Sequence, residues 1–183
     1  MAQILRETGE TRVRVAVDRG DRPPRIDTGD GFLDHMLVTF ARYAGLELEV
    51  EARGDLHHHL VEDVAIGLGM ALADIVPEHA ARYGWALVPM DEALVEAAID
   101  TGGRAYYVGD LPTSLADHFF QSLSTHLAAT LHIRVVRGRN RHHVVEAAVK
   151  ATGLALRQAL EEGDSVFSTK GAVRVTRDPA PDV

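Results

Sequence analysis

The sequence predicts an α+β fold in which one half-domain occurs twice. The motif His-His-x-x-Glu occurs at His58–Glu62 and again, at an offset of 84 residues, at His142–Glu146. An Asp-His pair precedes each copy, as Asp34–His35 and Asp117–His118. Self-similarity at a nearly constant spacing indicates an internal repeat. The same offset aligns further pairs along the chain, namely Arg53–Gly54 with Arg137–Gly138, Gly69 with Gly153, and Ala71–Leu72 with Ala155–Leu156.

The first half has alternating strand and helix patterns. Its strands are predicted where charged and apolar residues alternate, as on a half-buried strand. Its helices are predicted where apolar residues recur at helical spacing before a stop signal, which is Gly45 for the first helix and Pro77 for the second. In chain order the predicted elements are a strand at Thr11–Val17, a turn at Asp27–Gly31, a helix at Phe32–Tyr43, a strand at Leu46–Ala52 and a helix at Leu60–Val76.

The second half repeats this order without an intervening linker. The sequence therefore predicts one domain over residues 1–183, made of two repeats at about 1–90 and 91–175. A short C-terminal tail, with Pro179 and Pro181, is predicted to be frayed. The elements predicted for this half are strands at Ala93–Asp100, Arg104–Val108 and Leu131–Val136, and helices at Leu115–Leu127 and His143–Glu161.

Composition limits the possible partners. A net charge of -8 without a basic tract argues against nucleic acid. No apolar run approaches the length of a membrane span, and the N-terminus has no signal-peptide core, so we expect a cytoplasmic protein. The chain has no cysteine, which leaves nitrogen and oxygen donors for any metal.

The repeated motifs predict a pair of metal ions. A histidine and a glutamate at i and i+4 lie on one helical face and can hold one ion, while the adjacent histidine is free for a second. A single histidine is ordinarily a hydrogen-bonded core residue, but here eight positions match. A ferritin-like site would need more glutamates than the chain supplies. The predicted ligands are His35, His58, His59, Glu62, His118, His142, His143 and Glu146.

Over nearly its whole length the chain resembles the imidazoleglycerol-phosphate dehydratases of histidine biosynthesis. The similarity runs from Arg6–Thr11 to Ser168–Gly171. Between these ends the matching motifs are Gly31–Leu37, His58-His59-x-x-Glu62-Asp63, Asp117–Phe120, Thr130–Arg134, Asn140-x-His142-His143 and Leu156–Leu160.

The resemblance implies a fold, an assembly and a reaction. The implied fold has four helices sandwiched between two four-stranded sheets, as in ribosomal protein S5 domain 2-like proteins. The implied assembly is a trimer that metal organises into a 24-subunit homo-oligomer, with each active site shared between subunits. The implied enzyme is a hydro-lyase that converts D-erythro-imidazole-glycerol phosphate into imidazole-acetol phosphate.

The chemistry explains why two ions are expected. No carbonyl group acidifies the C–H bond of the substrate, so an ordinary enolate route is closed. With both ring nitrogens on metal, the imidazole would be stabilised as its anion and could expel the neighbouring hydroxide to give a diazafulvene. The resemblance implies Mn(II), with two ions per active site.

The resemblance also assigns residues. One ligand set is His58, Glu62, His118 and His143, and the other is His142, Glu146, His35 and His59. Glu10 is expected to act as general acid or base, with Glu62 and Glu146 as further catalytic carboxylates. Arginine forks and a lysine suit the phosphate. The expected substrate-binding residues are Glu10, His35, His58, Arg82, Arg104, His142, Ser168, Thr169 and Lys170.

The remaining histidines and one aspartate have weaker assignments. Asp91 could be a second carboxylate of the site, whereas four histidines are expected to be structural or exposed. These are His57, His79, His126 and His132.

The chain departs from the family pattern near the first motif. The loop before His58 is shorter than usual, and Leu60, Thr39 and Tyr43 replace residues common in the family. Two other functions fit paired ions. A two-metal phosphatase would favour more aspartate ligands and would hydrolyse phosphate monoesters. A non-catalytic shell would use the motifs only to join subunits, and Glu10 and Lys170 would then be dispensable.

Overall fold

The structure is a computed structural model that describes residues 1–163, and it contains two four-stranded sheets with four helices between them. The predicted substrate residues Ser168, Thr169 and Lys170 and the C-terminal tail lie outside the described residues. The first half comprises β1 (Ala2–Glu7), β2 (Thr11–Arg19), β3 (Arg25–Asp27), α1 (Gly31–Ala44), β4 (Leu46–Gly54) and α2 (His57–Ala73). The second half comprises β5 (Tyr83–Met90), β6 (Ala93–Asp100), β7 (Tyr106–Val108), α3 (Ser114–Leu127), β8 (Thr130–Arg137) and α4 (Arg141–Ala159).

The two sheets have the same topology, which confirms the duplicated α+β fold. The first sheet has the order β1-β2-β4-β3 and the second has the order β5-β6-β8-β7. In each sheet the first three strands are antiparallel, while the short last strand runs parallel to its neighbour. Each half therefore contributes one sheet and two helices.

Three strands have no predicted counterpart. β1 is an edge strand without a fully buried residue, so its burial contrast is weak. β3 has only three residues. β5 contains Gly84 and Pro89, which usually interrupt strands, but among the described residues it pairs only with β6 and thus tolerates proline at a sheet edge.

Several predicted boundaries were also wrong. Helix α2 starts at His57 rather than Leu60 and ends at Ala73 rather than Val76. The early end is consistent with Pro77, because a proline disfavours helical backbone in the residue before it. The early start places the whole first His-His-x-x-Glu motif on the helix. The strand predicted at Arg104–Val108 is confined to its last three residues.

The helices pack in two equivalent pairs, α1 with α4 and α2 with α3. A glycine lies at each crossing. A β-carbon on Gly69 of α2 would lie 2.7 Å from the carbonyl oxygen of Leu123 on α3, and one on Gly153 of α4 would lie 3.0 Å from that of Phe40 on α1. These glycines are the residues that the 84-residue offset aligns. The repeat thus preserves the close approach of the helix backbones.

The N-terminal ends of the four helices surround one apolar cavity of about 250 Å³. Side-chain caps hold three of these ends, because Asp30, Thr113 and Asn140 each accept a hydrogen bond from a backbone N–H of the first turn. The end of α2, after Leu56, has no side-chain cap. Within residues 1–163, no helix is long and apolar enough to cross a membrane.

Candidate metal and substrate site

The first cluster of predicted ligands lies where α1 meets α4. His35 comes from the first turns of α1, and His142 and Glu146 lie one helical turn apart on α4. Glu146 Oε2 lies 3.1 Å from His142 Nε2 and 3.5 Å from His35 Nε2. One ligand atom from each residue fits within 4.8 Å of the others, close enough to share an ion.

Glu146 is a buried carboxylate with a cationic partner. Its side chain is 9% exposed, and its Oε1 lies 2.9 Å from Lys150 Nζ, one turn further along α4. Burial alone would raise the pKa of Glu146, but the Lys150 ammonium group, and more weakly His35, bring that pKa below its ordinary value. Oε2 therefore belongs to an ionised carboxylate that faces two histidines, which suits a divalent cation.

The second cluster lies where α2 meets α3 and has fewer members. His118 Nε2 is 3.2 Å from Glu62 Oε1. The contact lacks the alignment of a hydrogen bond, so among residues 1–163 this buried nitrogen has no hydrogen-bond partner. A buried imidazole nitrogen beside a carboxylate is the arrangement that a metal ligand needs.

The second histidine of each motif points to other carboxylates. His59 Nδ1 lies 2.9 Å from Asp55 Oδ1 and 3.5 Å from Glu10 Oε2. His143 Nδ1 lies 2.7 Å from Glu92 Oε2. The structure therefore does not bring His59 and His143 to the two clusters of their own chain. His58 lies against His59, with ring centroids 4.5 Å apart.

These contacts shift the titration of both partners. The hydrogen bond to Asp55 raises the pKa of His59, and the hydrogen bond to Glu92 raises the pKa of His143. The His143 ring, followed by the backbone N–H groups of Asn140 and Arg139, lowers the pKa of Glu92 to about 2. Glu92 is thus ionised at neutral pH.

The aspartates of the Asp-His pairs have a different task from the histidines. Asp34 Oδ1 accepts hydrogen bonds from Thr28, with its N at 2.9 Å and its Oγ1 at 2.6 Å. Asp117 Oδ1 accepts one from the Tyr107 hydroxyl at 2.7 Å. Each aspartate ties the start of its helix to the segment before it. This contact fixes the position of the histidine that follows the aspartate in sequence.

The loop that carries Glu10 is held by a buried network. Thr8 Oγ1 accepts hydrogen bonds from the N–H groups of Glu10 and Thr11. Thr11 Oγ1 donates to the buried Asp63, which also accepts two hydrogen bonds from Arg6. Because Asp63 follows Glu62 on α2, this network ties the Glu10 loop to the first His-His-x-x-Glu helix.

The predicted phosphate residue Arg82 lies at the opposite end of α4 from His142. The Arg82 backbone N–H donates to the carbonyl of Ala159, and its side chain pairs with Asp100. Its φ of 75° is in the left-handed region, an unusual conformation for a residue other than glycine. His142 and Ala159 are 17 residues apart on α4, which is about 25 Å at the rise of an α-helix.

The other predicted residues are placed as follows. Arg104 is exposed before β7, and its carbonyl accepts a hydrogen bond from Thr130. Asp91 has a φ of 49° and lies 3.5 Å from His143 Nε2. Tyr43 lies beside Lys150, while Leu60 and Thr39 are buried.

The remaining histidines have structural contacts. His57 pairs with Asp30, the ring of His126 contacts the Ser122 carbonyl, and the His79 carbonyl accepts from Gly163. His132 packs beside Tyr106.

Sequence reasoning missed the carboxylates behind the ligands. Glu92 was not singled out, although the repeat carries a signal for it. An offset of 82 residues aligns Asp18 with Asp100 and Glu10 with Glu92, so the two glutamates occupy equivalent positions before β2 and β6. Lys150 has no such signal, because its equivalent in the first half is Ile66.

Fold and site together define a duplicated α+β protein with histidine–carboxylate clusters at its helix N-termini. The sequence profile described as imidazoleglycerol-phosphate dehydratase matches residues 28–156. Relatives with the same description agree over most of the chain. The chain belongs to the imidazoleglycerol-phosphate dehydratase family, whose members are hydro-lyases of histidine biosynthesis.

The relatives are similar in both sequence and structure. The dehydratase of Salinibacter ruber is 46% identical, over 94% of this chain and 95% of its own length. That of Bordetella pertussis is 48% identical, over 94% and 98%. The crystal structure of the Pyrococcus furiosus enzyme superposes with a TM-score of 0.87 at 41% identity, covering 93% of this chain and 100% of the other. The Staphylococcus aureus enzyme gives 0.81 at 34% identity, covering 88% and 99%.

These findings establish the reaction. The chain dehydrates imidazoleglycerol phosphate, the step of histidine biosynthesis that the resemblance implies. No observation on the described residues favours a two-metal phosphatase or a non-catalytic shell.

Proposed function

We propose that this chain carries out the dehydration with two Mn(II) ions per active site, held by the eight predicted ligands. The observation that carries the proposal is the convergence of His35, His142 and Glu146, with one donor atom from each within 4.8 Å of the others. The second cluster supports a second ion, because within residues 1–163 His118 Nε2 has no hydrogen-bond partner and lies 3.2 Å from Glu62 Oε1. Nitrogen and oxygen donors of this kind suit Mn(II).

The ions would supply Lewis acidity, stabilising the substrate imidazole as its anion and orienting it. The chain would do the rest. Glu146, held ionised by Lys150, would orient the two histidines beside it. Glu10 would move the proton at the substrate carbon, since its side chain is 59% exposed and its backbone is fixed by Thr8.

The active site is proposed to be shared between subunits. Imidazole ring, carbon chain and phosphate together span about 9 Å, judged from bond lengths. Arg82 lies about 25 Å along α4 from His142, and an extended arginine side chain covers only about 7 Å of that distance. One chain therefore cannot hold the ring at His142 and the phosphate at its own Arg82, so a neighbouring chain would supply the arginine.

The assembly follows from the same reasoning. His59 and His143, which lie away from the clusters of their own chain, would complete the ligand sets of neighbouring chains. A trimer that metal organises into a 24-subunit shell, as the family resemblance implies, is the proposed form. The cytoplasmic location predicted from the sequence remains part of this proposal.

The first experiment compares product formation in chelator-stripped protein with and without added Mn(II). We expect imidazole-acetol phosphate to appear only with metal, and Glu10→Gln to abolish it while Mn(II) remains bound. Full activity in the metal-free protein would contradict the metal proposal. Full activity of Glu10→Gln would contradict the role of Glu10.

Sharing between subunits is tested by co-expressing two inactive variants, His142→Ala and Arg82→Ala, with different tags. If sites are shared, about one quarter of the sites in randomly mixed assemblies combine two intact contributions, and activity returns to that extent. The matched control mixes His142→Ala with His35→Ala, which damage the same cluster and should give no recovery. No recovery in the first mixture would show that each site lies within one chain.

A further inference from the structure

We propose that Asp55 and Glu92 are positioning residues that fix the ring nitrogen through which His59 and His143 reach a metal ion. Neither carboxylate is among the ligands assigned above. The inference rests on the proposed function, because it concerns how the ligands are held, and its test separates the two. His59 and His143 occupy equivalent places in the two repeats, and each has a carboxylate beside the same ring nitrogen.

The first observation is that both contacts use the same ring nitrogen. Asp55 Oδ1 lies 2.9 Å from Nδ1 of His59, and Glu92 Oε2 lies 2.7 Å from Nδ1 of His143. An ionised carboxylate can only accept hydrogen bonds, so in each case Nδ1 must carry the proton. In a neutral imidazole the other nitrogen, Nε2, then has the free lone pair that a metal needs.

The second observation is that both carboxylates are themselves anchored. Glu92 Oε1 accepts hydrogen bonds from the backbone N–H groups of Arg139 at 3.2 Å and Asn140 at 2.8 Å. Asp55 Oδ1 accepts one from Leu56 at 2.7 Å, and the Asp55 N–H donates to the Glu10 carbonyl at 3.0 Å. Each carboxylate is therefore held by the loop before the helix and can orient the ring.

The other ring nitrogen of His143, Nε2, lies beside a hydrogen-bond donor. Asn140 Nδ2 lies 3.4 Å from His143 Nε2, and an amide nitrogen can only donate. Asp91 Oδ2 lies 3.5 Å from the same Nε2, so the shorter contact, 2.7 Å from Nδ1 to Glu92, is the one that fixes the tautomer. The side chain of His143 is 25% exposed and that of His59 is 22% exposed, so both rings are accessible at the surface of the chain.

The two carboxylates come from different elements, which argues against coincidence. Asp55 precedes His59 by four residues in the loop before α2, whereas Glu92 lies 51 residues before His143 in the turn between β5 and β6. The two repeats thus reach the same contact by different routes. Carboxylate partners of metal-bound histidines commonly have this role, and their loss costs about 10- to 100-fold in metal affinity.

The test measures Mn(II) affinity rather than activity. Glu92→Gln is nearly isosteric, but an amide has one oxygen in place of the two carboxylate oxygens. At least one of the three N–H donors would therefore face an NH₂ group. We expect it to weaken binding of the ion that His143 ligates by about 10- to 100-fold and to leave the other ion unchanged. Asp55→Asn, on a side chain that is 52% exposed, should weaken the ion that His59 ligates.

The matched control is Glu96→Gln on strand β6, which begins directly after Glu92. Glu96 pairs with Arg134 and Trp85 and, within the described part of the chain, contacts no predicted metal ligand. This variant should bind both ions as the wild type does. Equal Mn(II) titrations for wild type, Glu92→Gln and Asp55→Asn would overturn the inference while leaving the metal proposal intact. A wild-type chain that binds no Mn(II) would instead overturn the proposed function itself.

Discussion

Gly69→Ala tests the helix crossings on which the site depends. The new β-carbon would lie 2.7 Å from the Leu123 carbonyl oxygen and 2.9 Å from the β-carbon of His126. The first of these atoms belongs to the backbone, so α2 and α3 must move apart. Overpacking of this kind costs about 1–3 kcal/mol, and the better helix propensity of alanine offsets about 1 kcal/mol. We expect a net loss of up to about 2 kcal/mol in the free energy of unfolding.

The control lies two residues earlier on the same helix. A β-carbon on Gly67 would meet only the methyl groups of Val15 and Val13, at 3.3 and 3.4 Å. Gly67→Ala gains the same helix propensity without separating the helices, so it should be neutral or more stable by up to about 1 kcal/mol. Gly153→Ala, with its nearest contacts at 3.0 Å, should fall between the two.

The assay is urea unfolding monitored by circular dichroism. The protein is first treated with chelator, so that metal binding does not add to its stability. Equal slopes with denaturant concentration would show that the variants unfold from the same native state. The reasoning would be refuted if the free energies of unfolding of Gly69→Ala and Gly67→Ala differed by less than about 0.5 kcal/mol. Backbone contact at the crossing would then not limit how closely the helices pack.

Four further substitutions test three separate features. Ala128 ends α3 with a φ of 56°, so Ala128→Gly should raise the free energy of unfolding by about 0.5–1 kcal/mol. Gly45→Ala should lower it by a similar amount, and thermal unfolding measures both. Asp100→Asn should destabilise the chain at neutral pH. Because its arginine partner lowers the pKa of Asp100, the difference from wild type should be full above about pH 4 and vanish as pH falls through that lowered pKa. Lys150→Met should destabilise the metal-free chain by about 3 kcal/mol in urea unfolding, because it leaves Glu146 buried without its cation.

The sequence predicted best those strands and helices in which buried side chains alternate regularly with more exposed ones. β6, at Ala93–Asp100, alternates strictly between buried and half-buried residues and was predicted to the residue. β1 and β5 are edge strands, and their polar or interrupted patterns reflect a position that tolerates solvent and proline. Local patterns cannot show which strand will lie at an edge, because tertiary pairing decides it.

The site was predictable in its residue types but not in its grouping. Spacing alone places His142 and Glu146 together, and the structure adds His35 from a helix more than a hundred residues away in sequence. Sequence could not show that His59 and His143 contact carboxylates outside the clusters, since those contacts depend on loop geometry. Only the family resemblance links Arg82 to the site, because within its own chain it lies at the opposite end of α4 from His142.

The cavity between the four helix ends has an electrostatic consequence. Each helix N-terminus carries about half a positive charge from its aligned peptide dipoles, and all four ends face the same small volume. Their combined potential favours negative charge there. If the substrate ring binds beside His35 and His142 as proposed, the backbone itself would help that ring to give up its proton. A fold with only one such half would bring two helix ends to the ring, and the duplication brings four.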